Sequence, residues 1–273
     1  MNIFISVDIE GVAGVSEPIQ GQRGSAEYEI ARRLMTEEAN AAIRGAFAAG
    51  AREVTVADSH GPMRNMIADA LDPRAMLVSG KPRPLSMIQG IHEGHDGAVL
   101  IGYHAAAGNR GVLAHTISGL AFARIEMNGV PVGEPTLFAG HAAEIGVPLL
   151  AVSGDDRLGE EIRAQFPSAR VIETKTALGA QASRSLSPHA SRDLIETEVR
   201  TAVEGAAGQR PHAPCRPPLE VVVTFNRQVF ADAACLVPEI SRRGATDVVF
   251  TAGSHADAIG ILAAFSILAQ GLS

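Results

Sequence analysis

Tryptophan is absent from the 273-residue chain, and aromatic side chains make up only 4% of it. Basic residues are also in the minority, 23 Lys+Arg against 30 Asp+Glu, for a net charge of −7. A general nucleic-acid binder needs basic clusters for phosphates and rings on which bases stack, so this composition argues against that class. The only two cysteines, Cys215 and Cys235, form no C-x-x-C pair. They cannot build a disulfide framework or a thiolate zinc site, and read as small buried or half-buried side chains. Long apolar runs are missing too: the longest, Ala258 to Ala269, falls short of the roughly 18–20 residues that span a bilayer. It reads as a buried C-terminal helix, and no membrane partner is expected. The first residues lack a basic region, and their apolar run ends at Asp8, so no signal peptide is expected and the default location is cytoplasmic. No G-x-G-x-x-G, Walker-type loop or G-x-S-x-G elbow occurs, which removes the usual sequence support for nucleotide binding and serine hydrolysis.

What is present is a foldable α/β pattern, with 46% hydrophobic and 19% charged residues. A chain of this length buries about 70–75% of its unfolded surface. Ile3–Val7, Val54–Ala57, Ala98–Tyr103 and Val147–Val152 are short apolar runs of the kind that suit strands covered on both faces. A helix is expected from about Ala26 to Ala49, capped by Ser25 and stopped at Gly50. Asn128-Gly129 between Ala121–Met127 and Val130–Val132 is a hairpin signal, since that dipeptide accepts positive φ. Further helices are expected at Glu134–Gly146, Asp156–Gln165 and Ser187–Gly205, and strands at Arg170–Thr174, Glu220–Phe225 and Val248–Thr251. The stretch Gly208–Pro218, with four prolines, is the one convincing linker. The expected fold is α/β: a mostly parallel sheet flanked by helices over 1–207, with a smaller C-terminal α/β module over 219–273 that may be continuous with the first.

In such sheets ligand-binding groups gather beyond the carboxyl ends of the strands. Asp8 and Glu10 follow the first strand; if extended geometry continues, both carboxylates share a face. His60 follows the second strand, His104 the third, and Glu134 the hairpin. Each has an ordinary explanation alone: a cap or solvated acid, a turn residue, a core histidine, a helix N-terminal acid. Together they are three carboxylates and two imidazoles on one edge. Clustered acids repel unless cations lie between them. Five mixed N/O ligands exceed what one tetrahedral zinc takes, so two divalent ions sharing a carboxylate are more economical, with Asp8 the natural bridge. Two ions about 3.5–4 Å apart can hold a hydroxide and polarise a carbonyl together.

Ser6-Val7-Asp8-Ile9-Glu10-Gly11, Asp58-Ser59-His60-Gly61, Gly102-Tyr103-His104, Ala114-His115 and Asn128-Gly129-x-x-x-Gly133-Glu134 resemble, in order, the D-aminopeptidase family of zinc metallopeptidases found with bacterial dipeptide transport operons. A looser likeness extends through Ser153-Gly154-Asp155-Asp156, Ser185-Leu186-Ser187-Pro188 and Ala231-Asp232…Val237-Pro238, where Glu239 replaces an expected glycine. The resemblance implies two zinc ions bridged by Asp8, one also held by Glu10 and His60, the other by His104 and Glu134. It implies His115 as the catalytic histidine, proposed in the family as the nucleophile. It also implies a ring-like homodecamer that admits short peptides. On chemistry alone, zinc-bound hydroxide is a competent nucleophile, which leaves His115 to protonate the leaving amine or stabilise the oxyanion.

The expected function is removal of the N-terminal residue from short peptides, with D-residues accepted. One alternative is a two-metal phosphoesterase, for which Lys81, Arg83 and Arg64 are the available cations. Another is a non-catalytic peptide- or metal-binding subunit. Asp155-Asp156 is expected to cap a helix, and Lys175 and Arg184 to be solvated or ion-paired.

Overall fold

The computed structural model describes all residues 1–273. In chain order the elements are β1 (Asn2–Val7), α1 (Ala26–Ala48), β2 (Glu53–Asp58), β3 (Met76–Val78), β4 (Gly97–Ile101), β5 (Phe122–Met127), β6 (Val130–Pro131) and α2 (Glu134–Glu144). There follow β7 (Leu149–Asp155), α3 (Asp156–Gln165), β8 (Arg170–Gly179), β9 (Ala182–Ser185), α4 (Pro188–Glu204), β10 (Leu219–Phe225), α5 (Gln228–Ala234), β11 (Ser241–Arg242), β12 (Asp247–Ala252) and α6 (His255–Gln270).

The larger sheet has seven strands in the order β3-β2-β1-β4-β7-β8-β9. All neighbours pair in parallel except β9, which closes the edge antiparallel to β8. The mostly parallel, helix-flanked sheet expected from the sequence is therefore present. Side chains alternate across it, as the strand period demands. Ile3, Ile5 and Val7 point into a core with Tyr28, Met35 and Ile43 of α1 and Ile195 and Val199 of α4. Phe4 points the other way, into a core with Leu137 and Phe138 of α2 and Leu262 and Phe265 of α6.

That second core also takes in the smaller, antiparallel sheet, ordered β11-β12-β10-β5-β6. Its strands come from both sides of the proline-rich stretch, because β5 pairs with β10. Asn128 and Gly129 have φ of 51° and 78°, the paired positive values of a tight hairpin turn.

Local signals explain the long helices. The Ser25 hydroxyl accepts from the Tyr28 N–H at the start of α1, and Ser187 caps α4 through Ala190 N–H. Asp155 caps α3 by accepting from Leu158 N–H at 2.8 Å. Both cysteines are free, Cys215 buried and Cys235 half-buried. No helix is long and apolar enough to cross a membrane.

Candidate metal centre

The order β3-β2-β1-β4 places a topological switch between β1 and β4, where the chain leaves on opposite sides and opens a crevice at the strand carboxyl ends. Asp8 and His104 follow those two strands. His60 arrives from β2, and Glu134 is the first residue of α2. Glycines permit the close approach: a Cβ on Gly11 would run into the Tyr103 carbonyl, and one on Gly102, where φ is +70°, into the Asp8 carbonyl. Glu10 reaches the crevice by a different route from the extended geometry expected. The strand stops at Val7 and the chain turns, with Val12 N–H bonded to the Ile9 carbonyl. The turn still aims Glu10 at the same point as Asp8.

His60 Nδ1 lies 3.1 Å from both Asp8 Oδ1 and Glu10 Oε2. His104 Nε2 lies 3.3 Å from Asp8 Oδ2, 3.4 Å from Glu134 Oε2 and 3.7 Å from Glu10 Oε2. His115 Nε2 lies 3.7 Å from Glu10 Oε2 and 3.9 Å from Glu134 Oε1, with its ring stacked on His104 at 4.2 Å. All six residues singled out in the sequence thus meet.

The far side of each imidazole is held by a backbone carbonyl: His60 Nε2 by Gly21 O at 3.1 Å, His104 Nδ1 by Ala105 O at 3.1 Å, His115 Nδ1 by Leu113 O at 2.8 Å. A carbonyl only accepts, so these nitrogens carry the protons and the other nitrogen of each neutral ring presents a lone pair to carboxylate oxygens. Lone pairs face lone pairs, an arrangement that needs a cation or extra protons between them. His104 Nε2 and Glu134 Oε2 are buried and make no hydrogen bond. The donor atoms fall into three compact groups: Asp8–Glu10–His60 and Asp8–His104–Glu134, which share Asp8, and Glu10–His104–His115. Nitrogen and carboxylate donors with carbonyl-fixed tautomers suit divalent zinc.

The sequence profile of the D-aminopeptidase family matches residues 1–264. This chain belongs to that family. A D-aminopeptidase of Bacillus subtilis strain 168 is 33% identical over 271 residues, covering 99% of this chain and 98% of that one. A solved structure of the zinc-dependent D-aminopeptidase DppA from Bacillus subtilis, described as a self-compartmentalizing protease, superposes with a TM-score of 0.94. Its identity is 33%, over 99% of this chain and 98% of that one.

The loops around this D-aminopeptidase-family site are tied down by polar contacts. Asp58 accepts from the backbone N–H groups of Asn65 and Met66 and from the Asn65 amide, which also donates to the His60 carbonyl at 2.6 Å. The loop carrying His60 is thereby tied to the end of β2. Asp155, besides capping α3, accepts from Val112 N–H at 2.7 Å and so pins the loop that carries His115. Glu134 Oε1 accepts from Ile117 N–H at 2.8 Å, leaving Oε2 free to face His104.

Lys175 was expected to be solvated or ion-paired, and it is neither. Only 3% exposed, it donates from Nζ to the carbonyls of Glu10 at 2.7 Å, Val12 at 3.2 Å and Val15 at 2.7 Å. Its three N–H groups match three acceptors of the turn that positions Glu10. Burial pushes the ammonium down to about 8, opposed by the charges of Asp155, Glu38, Glu10 and Asp8, so it stays mainly protonated at neutral pH. The available signal was a lysine inside a strand of a sheet covered on both faces. Lys175→Met orphans the Glu10 and Val15 carbonyls and leaves that of Val12 with the Val15 N–H alone. The expected cost is about 3 kcal/mol of stability, with weaker zinc retention, measured by denaturant titration and chelator competition.

Electrostatics within the cluster are set by burial against pairing. Burial pushes the Asp8 carboxyl up, but His104 and His60 outweigh it and hold Asp8 well below the usual range. Glu10 is lowered likewise, burial being overcome chiefly by His115 and His60. Burial pushes His60 and His104 down, yet Glu10 and Asp8 around the first, and Glu134 and Asp8 around the second, raise both well above 6.5. In metal-free protein their contribution to stability is therefore complete below about pH 6.5 and fades as pH rises through the raised values. A metal needs those nitrogens bare and so is favoured in the opposite sense. The increment in Tm conferred by zinc is expected to grow between about pH 6 and 8, read by calorimetry with and without the ion.

Proposed function

We propose that this chain is a zinc-dependent aminopeptidase that removes the N-terminal residue from short peptides, D-residues included. The observation that carries the reading is the convergence of imidazole nitrogens and carboxylate oxygens in two donor groups joined by Asp8, with His104 Nε2 and Glu134 Oε2 left without a partner. Family membership supports it, as does the zinc-dependent relative. In this reading Glu10, His60 and Asp8 hold one ion, and His104, Glu134 and Asp8 the other. Bound there, the ions supply a Lewis acid for the scissile carbonyl and make coordinated water more acidic.

The remaining chemistry falls to His115. Its Nδ1–H stays on the Leu113 carbonyl, so Nε2 is the single exchange point for a proton. It faces a cavity of about 420 Å³, a usual size for small-ligand sites, lined also by Asp8, Glu10, His60 and Glu134. His115 accepts at Nε2 a proton from the attacking water and gives it to the departing amine as the C–N bond breaks; without it the amine would leave as an unstable anion. Stacking on His104 holds the ring plane without consuming Nε2.

Assay of D- and L-alanyl dipeptides tests this directly. Turnover is expected to disappear in chelator and return with zinc, and persistent turnover in chelator contradicts it. A two-metal phosphoesterase is the second reading, favoured by Lys81 and Arg83 in the cavity wall; hydrolysis of an aryl phosphate but not of peptides would move the assignment there. We extend to this chain the self-compartmentalizing assembly of its relative, and from the family resemblance we propose that it is a homodecamer in the cytoplasm. Light scattering at a ten-chain mass is the expected result.

A further inference from the structure

Five charged side chains other than histidine line the cavity: the acids Asp8, Glu10 and Glu134 and the cations Lys81 and Arg83. The three acids are committed to the metal groups, so neither cation has a carboxylate left to pair with. Lys81 sits exposed at the rim with burial as the only influence on its ammonium and no charged neighbour close enough to matter. Arg83 is half-buried and fixed: it donates to the Asp58 carbonyl at 2.7 Å and the Val78 carbonyl at 3.4 Å, and touches the Met63 sulfur. Its Nε is buried without a partner. These contacts go to uncharged atoms; the charge acting on the guanidinium is that of the Asp58 carboxylate, which partly offsets its burial.

Sheet order places these cations relative to the chemistry. Lys81 and Arg83 follow β3, two strands from β1 and its Asp8. Two interstrand spacings amount to about 10 Å. In a dipeptide lying across the edge, the terminal carboxylate is one residue, about 3.5 Å, beyond the scissile carbonyl. The four-carbon stem of Lys81 spans the remainder.

We propose that Lys81, backed by the fixed guanidinium of Arg83, binds the C-terminal carboxylate of the substrate and makes the site selective for di- and tripeptides with a free C-terminus. This rests on the aminopeptidase reading and deepens it. Lys81 is a specificity-determining residue: it measures the distance from the cleaved bond to the chain end, and longer peptides carry their carboxylate past it.

The test compares D-alanyl-D-alanine with its C-terminal amide, in the native enzyme and in Lys81→Met and Lys81→Arg. In Lys81→Met the ratio of kcat/KM for acid over amide is expected to fall about tenfold, through KM, and in Lys81→Arg to recover most of that loss. An unchanged ratio, or an equal loss on both substrates, overturns the proposal, because a merely structural role would not distinguish acid from amide. Binding separates this from failure of the aminopeptidase reading. In zinc-loaded His115→Ala protein, adding Lys81→Met is expected to weaken the Kd for D-alanyl-D-alanine about tenfold, whether or not the native enzyme turns peptides over. Equal affinity in the two proteins refutes the carboxylate anchor.

Discussion

His115→Ala is expected to keep both zinc ions while losing about 10²–10⁴-fold in kcat, the range associated with a positioned proton donor or acceptor. The two parts of that result come from different features. Zinc is retained because His115 stands outside the two donor groups that share Asp8, its Nε2 no nearer than 3.7 Å to a carboxylate oxygen. Activity is lost because His60, the other imidazole lining the cavity, belongs to one of those groups. The alternative role, nucleophile, makes a separate prediction. An acyl-imidazole intermediate would give a burst of the first amine product and a mass adduct on His115, whereas proton transfer gives neither. Loss of zinc in the variant would move His115 among the ligands, a placement its grouping with Glu10 and His104 makes worth measuring.

Asp8→Asn is expected to lose both ions at once and fall to the activity of the metal-free protein. Asp8 is 1% exposed, and its two oxygens face different imidazoles, Oδ1 towards His60 and Oδ2 towards His104. An amide has the same shape but offers one acceptor in place of two and removes the charge that offsets two divalent cations. Glu10→Gln, by contrast, is expected to weaken the ion beside His60 while the other is retained. Metal analysis of the purified variants reads both outcomes. Two ions per chain in Asp8→Asn would contradict a bridging carboxylate, and a single remaining ion would show that Asp8 serves one site only.

Much of this centre was legible in the sequence because parallel sheets impose a common address. Asp8, His60 and His104 each follow a short apolar run that fits a strand covered on both faces, so a shared edge was expected without knowledge of the packing. Glu134 was legible through Asn128-Gly129, whose turn fixes where α2 begins. It is the helix N-terminal acid expected, and its Oε2 also faces His104. Glu10 was placed correctly for an incorrect reason, since the chain turns after Val7 rather than running on.

What was not legible depends on contacts between distant segments. Lys175 lies more than 150 residues from the carbonyls it bonds, and nothing in Thr174-Lys175-Thr176 names them. The second sheet is assembled by pairing β5 with β10 across the proline-rich stretch, and its apolar side chains share a core with α6. The elements β3, β9, β11 and α5 are too short to carry a periodic signal of their own. Lys81 and Arg83 were visible as cations, but their relation to the acids required the sheet order.

The most direct measurement is anomalous diffraction at the zinc edge from crystals of the metal-loaded protein. The account predicts two peaks per chain, one beside Glu10 and His60 and one beside His104 and Glu134, with Asp8 touching both. A single peak, or peaks away from these five side chains, would contradict it.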